Sequence, residues 1–124
     1  MKYLIDANCV IYLFAREYPK LSARVEAIAQ GEIGLSTIVF AELLMGMAQG
    51  KPPTAEALNE LALQMPVIAF DEEAARAYAT TPFKRARFDR LLAGHALSLG
   101  LTIISANARD FADIPGLTVE DWTK

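Results

Sequence analysis

Apolar residues along this chain recur with two alternating periods. Tyr3-Leu4-Ile5 is a short run of β-formers that stops on Asp6, after which Val10, Leu13 and Phe14 return at three- and four-residue spacing. The run predicts a buried strand and the spacing a helix over about 7–17, broken near Pro19. A second helix is predicted over 21–30, with Leu21, Val25 and Ile28 on one face and Gly31 as its stop. A strand follows over 32–36. Ser36 or Thr37 then caps a helix over 38–49, which Gly50, Pro52 and Pro53 end. Thr54 caps a helix over 54–64, marked by Leu58, Leu61 and Met65, and 66–70 reads as a second buried strand. Asp71-Glu72-Glu73 starts the next helix, which reaches Ala79. A loop over 80–88 leads to Asp89, which opens a helix over 90–99 that Gly100 terminates. Leu101-Thr102-Ile103-Ile104-Ser105 is the clearest strand, and 117–119 makes a last one before Trp122. Strands alternating with helices predict an α/β fold with a mainly parallel sheet and helices on both faces.

Composition keeps the chain among globular proteins. Its 124 residues are 53% apolar and 22% charged, with no low-complexity run or repeat, so one domain over 1–124 is expected. A chain of this length buries roughly two-thirds of its unfolded surface. No apolar stretch approaches the roughly 20 residues of a membrane span. Asp6 and Asn8 interrupt the only apolar N-terminal run, so no signal peptide and a cytoplasmic location are expected. The single cysteine, Cys9, permits no internal disulfide and reads as core filler. A net charge of −3 and a pI near 5.1 exclude a protein that coats nucleic acid by charge alone. The positive charge is concentrated, with Lys84, Arg85, Arg87 and Arg90 inside seven residues.

Several carboxylates stand where chemistry is found in parallel sheets. Asp6 ends the first strand, although an Asp there also serves as a helix N-cap. Glu42 interrupts the uncharged run from Ile38 to Ala48. A helix apolar nearly all round is largely buried, so Glu42 calls for a solvated edge, an arginine or a bound cation. Asp71, Glu72 and Glu73 are the acids of any well-started helix. Asp89 is either an N-cap or a carboxylate given room by Ala93 and Ala96, while His95, among apolar neighbours, reads as a core histidine without a catalytic role. Asn107 and Asp110 form a further polar pair after a strand, or else an Asn turn with a capping Asp. Asp6, Glu42, Asp89 and Asp110 brought together would repel unless a cation neutralised them. Oxygen donors without a Cys or His cluster favour Mg²⁺ or Mn²⁺ over zinc.

Four segments in order resemble one known family. They are Leu4-Ile5-Asp6-Ala7-Asn8; Ser36 to Gly46 with its Glu42-Leu43; Phe88-Asp89-Arg90-Leu91-Leu92-Ala93-Gly94-His95-Ala96; and Ser105 to Phe111 followed by Ile114-Pro115-Gly116-Leu117. Together they are similar to the PIN domain, specifically the VapC-type toxins of toxin–antitoxin pairs, over nearly the whole chain. The resemblance implies a three-layer α/β/α fold with strand order 3-2-1-4-5 and a metal-dependent endoribonuclease site. Asp6, Glu42 and Asp89 would form its acidic core, Asp110 a fourth acid, and Asn8, Ser105 and Asn107 auxiliary polar contacts. It also implies a cognate antitoxin, a homodimer, and a tRNA, rRNA or mRNA substrate. The segment from Tyr78 to Asp89 departs from the family pattern in being shorter and more basic.

The chemistry so implied is in-line attack of an activated water on a phosphodiester, assisted by Mg²⁺ or Mn²⁺, leaving a 5′-phosphate and a 3′-hydroxyl. Lys84, Arg85, Arg87 and Arg109 would hold flanking phosphates, unless the basic cluster is only a solvated loop. A phosphotransferase of the haloacid dehalogenase kind would want an Asp where Asn8 stands. A signalling receiver domain would want an acidic pair after the first strand and a lysine ending a later one, and Ile103 to Asn107 offers none. An inactive PIN-like binding module remains the alternative, although no acidic position is lost.

Overall fold

A computed structural model of the chain describes residues 1–85 and 87–124; position 86, inside the predicted loop, lies outside the described residues. Five parallel strands form one sheet in the order β3-β2-β1-β4-β5, and six α-helices complete a three-layer α/β arrangement. The strands are β1 (Tyr3–Ile5), β2 (Ile33–Ser36), β3 (Val67–Ile68), β4 (Thr102–Ile104) and β5 (Val119–Glu120). The helices are α1 (Ala7–Ala15), α2 (Pro19–Ala27), α3 (Thr37–Ala48), α4 (Ala55–Gln64), α5 (Glu72–Tyr78) and α6 (Phe88–Leu99), with a 3-10 helix at Ala108–Phe111. No helix is long and apolar enough to cross a membrane among the described residues.

β1 lies at the centre because it is apolar on both faces. Leu4 and Ile5 are fully buried and pair with Gly34 on one side and with Ile103 and Ile104 on the other. The order reverses beside β1, between its β2 and β4 neighbours, and in parallel sheets such a reversal opens a crevice at the carboxyl ends. Asp6 stands at that point. Its N–H donates to the Ile104 carbonyl at 3.0 Å, continuing the β1–β4 ladder one residue past the strand. Trp122, fully buried, closes the β5 side by packing edge-on against Tyr3 and under the Arg24 guanidinium.

Several boundaries differ from the sequence expectation, for identifiable reasons. α1 ends ahead of Pro19 as expected, but α2 starts at Pro19 itself and not at Leu21, because the missing N–H and fixed φ of proline suit the first helical turn. β3 is two residues long and half exposed, not a buried five-residue strand, because it forms the edge of the sheet. α3 is not buried all round: Leu44 and Met45 face outward, 46% and 63% exposed, since a helix in an outer layer of a small domain keeps one side wet. Asp89 is not the N-cap of α6. That position is the Arg87 backbone, and Asp89 sits in the first helical turn.

α5 and α6 approach unusually closely. A Cβ placed on Gly94 would come within 2.6 Å of the Tyr78 Cα and N. Only glycine lets the two backbones meet there, and the contact fixes where the segment leading into Asp89 begins.

Candidate functional site

The carboxyl ends of β1 and β4 open into a cleft of about 100 Å³ lined by Asp6, Asn8, Glu42, Asp89, Ser105, Asn107 and Asp110 among others. All four predicted acids and all three auxiliary residues therefore reach one place from four separate segments. Each is positioned by a local rule. Asp6 caps α1, its Oδ1 accepting from the Cys9 N–H at 2.8 Å. Glu42 projects from α3, whose start is fixed by the Ser36 hydroxyl accepting from the Ile38 N–H. Ser36 is also hydrogen-bonded to Nδ1 of buried His95 at 2.8 Å, so α3 and α6 are pinned to each other beneath the cleft. Burial lowers the His95 pKa, which keeps the ring neutral, as a core histidine should be. Ser105, fully buried, accepts from the Asn107 N–H at 3.0 Å and shapes the turn that presents Asn107 and Asp110.

The electrostatics show unfavourable crowding of negative charge. Burial raises the Asp6 pKa, opposed by the neighbouring Ser105 hydroxyl and the Cys9 N–H. Glu42 is pushed up to about 7, first by burial and then by the charges of Asp6 and Asp89. Such a pattern marks carboxylates held together by the fold and not by mutual preference. Asp89 and Asp110 are partly neutralised by Arg87. Its Nε donates to Asp89 Oδ1 at 3.1 Å, a second guanidinium nitrogen bonds Asp89 Oδ2, and the same nitrogen lies 3.4 Å from Asp110 Oδ2.

Among the described residues, no three Asp, Glu, His or Cys side chains are drawn close enough together to hold one metal ion. The donor set nevertheless fits a hard divalent cation: carboxylate, amide and hydroxyl oxygens only, with a guanidinium already spanning two of the acids. Asp6, Glu42, Asp89 and Asp110 line the cleft and are the residues that would have to draw closer to hold such an ion.

The basic residues divide. Lys84, Arg85 and Arg87 line an adjoining hollow, whereas Arg109 is exposed on the 3-10 helix and lines neither cavity. Arg90 does not belong to the surface cluster at all. It is fully buried, donating to Asp113 at 2.9 and 3.2 Å and to the Asp110 carbonyl at 3.1 Å. The helical spacing carried this signal, since Arg90 shares a face with Ala93, Gly94 and Leu97.

The chain resembles known proteins in sequence and in fold. Residues 3–117 match the PIN domain family. The chain is 31% identical to ribonuclease VapC1 of Haemophilus influenzae strain R2866 over the full length of both proteins. It is 27% identical to the tRNA(fMet)-specific endonuclease VapC of Shigella flexneri, covering 99% of each. VapBC-1 from nontypeable Haemophilus influenzae superposes on it with a TM-score of 0.80 at 28% identity, covering 100% of both chains. A match across almost the whole sequence, with relatives aligned end to end and one shared sheet order, shows that the chain belongs to the PIN domain family, among its VapC-type members.

Proposed function

We propose that this protein is a metal-dependent endoribonuclease, the toxin of a toxin–antitoxin pair, and that Mg²⁺ or Mn²⁺ is its ion. The observation that carries the reading is the convergence of Asp6, Glu42, Asp89 and Asp110 on one cleft at the carboxyl ends of β1 and β4. The full-length likeness to VapC ribonucleases supports it.

The four carboxylates hold the ion, with Asn8, Ser105 and Asn107 orienting them or the substrate. When bound, the cation supplies Lewis acidity that lowers the pKa of water and offsets charge at a scissile phosphate. Glu42 must lose the proton that its raised pKa retains near neutrality before it can serve as a ligand. Asp6 is held in place from two sides, by its cap bond to Cys9 and by its backbone bond to Ile104. Arg87, once released from Asp89, stands beside the cleft where a flanking phosphate would pass, and Lys84 and Arg85 extend that positive edge. Arg109, exposed beside Asp110 in the 3-10 helix, offers a further phosphate contact. Phosphate contacts of this kind orient a strand without reading its sequence.

The partners that follow are an RNA, a cognate antitoxin and a second copy of the chain. The outward-facing Leu44 and Met45 of α3 and Leu63 of α4 provide apolar surface for protein contacts.

The test is incubation of purified protein with a mixed tRNA and rRNA pool, with Mg²⁺ or Mn²⁺ and with EDTA. Cleavage should require the metal and disappear in Asp6→Asn. Cleavage that survives EDTA or the variant, or no cleavage by the wild type, contradicts the reading.

A further inference from the structure

The hollow beside the acidic cleft has a composition unlike its neighbour. It encloses about 310 Å³, with Tyr78, Phe83, Phe88 and Leu91 forming apolar walls and Lys84 and Arg85 at its rim. Phe83 is 77% exposed and Phe88 56%, so two phenyl rings from one short segment stand in water around a single opening. Isolated exposed apolar side chains are ordinary, but paired rings around a concave opening ringed by cations are a recognisable binding surface. Arg87 joins the two cavities. It lines the hollow while its guanidinium bonds Asp89 and reaches Asp110 in the cleft.

We propose that Phe83 and Phe88 form a stacking seat for an unpaired base of the RNA substrate, adjacent to the bond that the acidic cleft cuts. The inference rests on the ribonuclease reading and adds to it two positioning residues, which hold an unpaired base beside the cut. Aromatic faces interleaved with Lys and Arg suit single-stranded nucleic acid, because every base offers a π-face while the phosphates meet the cations. Bases inside a duplex are already stacked and cannot enter. The cations suit any polyanion, and the paired ring faces favour one that carries a flat base beside each phosphate over an acidic peptide. α5 and α6, in backbone contact at Gly94, hold Tyr78 and Leu91 as the fixed base of the seat.

The experiment is fluorescence anisotropy in EDTA, with a short labelled single-stranded RNA of mixed sequence and the same strand annealed to its complement. The proteins compared are the wild type, the double variant Phe83→Ala/Phe88→Ala, the double variant Phe83→Leu/Phe88→Leu, and Phe83→Trp. The alanine pair should bind single-stranded RNA at least tenfold more weakly and bind the duplex as the wild type does. The leucine pair should be equally impaired, since it keeps apolarity but loses the rings. Trp emission at position 83 should be quenched by the single strand, against a background of buried Trp122. Unchanged single-strand affinity, an equal loss for both RNA forms, or restoration by leucine would overturn the proposal; retained RNA binding with lost self-association would assign the patch to a protein contact instead. A wild type that shows this binding pattern but cuts no RNA keeps the seat and defeats the nuclease reading. Undiminished cleavage by the alanine pair defeats the seat alone.

Discussion

The Arg90 guanidinium, buried in α6, donates to the Asp110 carbonyl at 3.1 Å, so the helix that carries Asp89 also holds the turn that carries Asp110. The same side chain bonds the Asp113 carboxylate and lowers the Asp113 pKa, chiefly through that hydrogen bond. Two acids of the cleft are thereby set relative to each other by a residue that touches neither carboxylate of the pair. Arg90→Met should leave stability within about 1 kcal/mol, because a well-packed apolar side chain can replace a buried ion. RNA cleavage should nevertheless fall about tenfold through misplacement of Asp110. Asp113→Ala, which strands the buried guanidinium, should instead lower the urea midpoint by more than Arg90→Met does, although Asp113 is itself 40% exposed.

Glu42 gives a pH dependence of defined sign. Its folded pKa, near 7, lies above the unfolded value of 4.5, so the folded state binds the proton more tightly. Its contribution is full below about pH 4.5 and is lost as pH rises through 7. The metal-free protein should lose about 1–3 kcal/mol of stability across that window from this residue. Glu42→Gln should remove the loss, giving a higher Tm than the wild type at pH 8 in EDTA. Equal Tm values for the two proteins at pH 8 would contradict the placement of Glu42 beside Asp6 and Asp89.

If Asp89 is a metal ligand as proposed, Arg87 and the ion compete for it. Arg87→Gln removes the guanidinium that now bonds Asp89 and reaches Asp110. The variant should bind Mn²⁺ about three- to tenfold more tightly by calorimetry, because the guanidinium no longer occupies Asp89. Its RNA affinity should fall, and the salt dependence of binding should flatten by close to one phosphate contact. Weaker Mn²⁺ binding by the variant would show that Arg87 organises the acids instead of competing with the ion.

Gly94 offers a test of the α5–α6 packing. In an exposed helix Gly→Ala gains about 1 kcal/mol from helix propensity. Here the new Cβ meets the Tyr78 backbone at 2.6 Å. Gly94→Ala should therefore destabilise by about 1–3 kcal/mol in spite of the propensity gain. A stabilised variant would mean that the two helices are farther apart than described.

Legibility in the sequence followed the range of the forces involved. β1, the caps at Ser36, Thr54 and Asp71 and the stop at Gly100 are set by neighbouring residues, and they lie where the pattern places them. β3 misled because burial of a short apolar run depends on its rank in the sheet, and rank is a tertiary property. The apolar run of α3 misled similarly, for Leu44 and Met45 face outward in a way no local rule forbids. The acids of the cleft were legible as strand-end and helical carboxylates, and the resemblance put them in one group. Arg90 was counted with the basic cluster because proximity in sequence masked its helical face. Its partner Asp113 lies too far along the chain for spacing to suggest the pair. The exposed rings of Phe83 and Phe88 give no sequence signal that separates them from core aromatics.

A Mn²⁺ titration followed by electron paramagnetic resonance tests most directly whether Asp6, Glu42, Asp89 and Asp110 form one divalent-cation site, as proposed. Wild-type protein at pH 8 should deplete the signal of free aqueous Mn²⁺, with Mg²⁺ restoring it by competition. Asp6→Asn and Asp89→Asn should each weaken that binding at least tenfold, while circular dichroism shows an intact fold. A free-Mn²⁺ signal unaffected by the wild-type protein, or binding that both variants retain in full, would contradict the account.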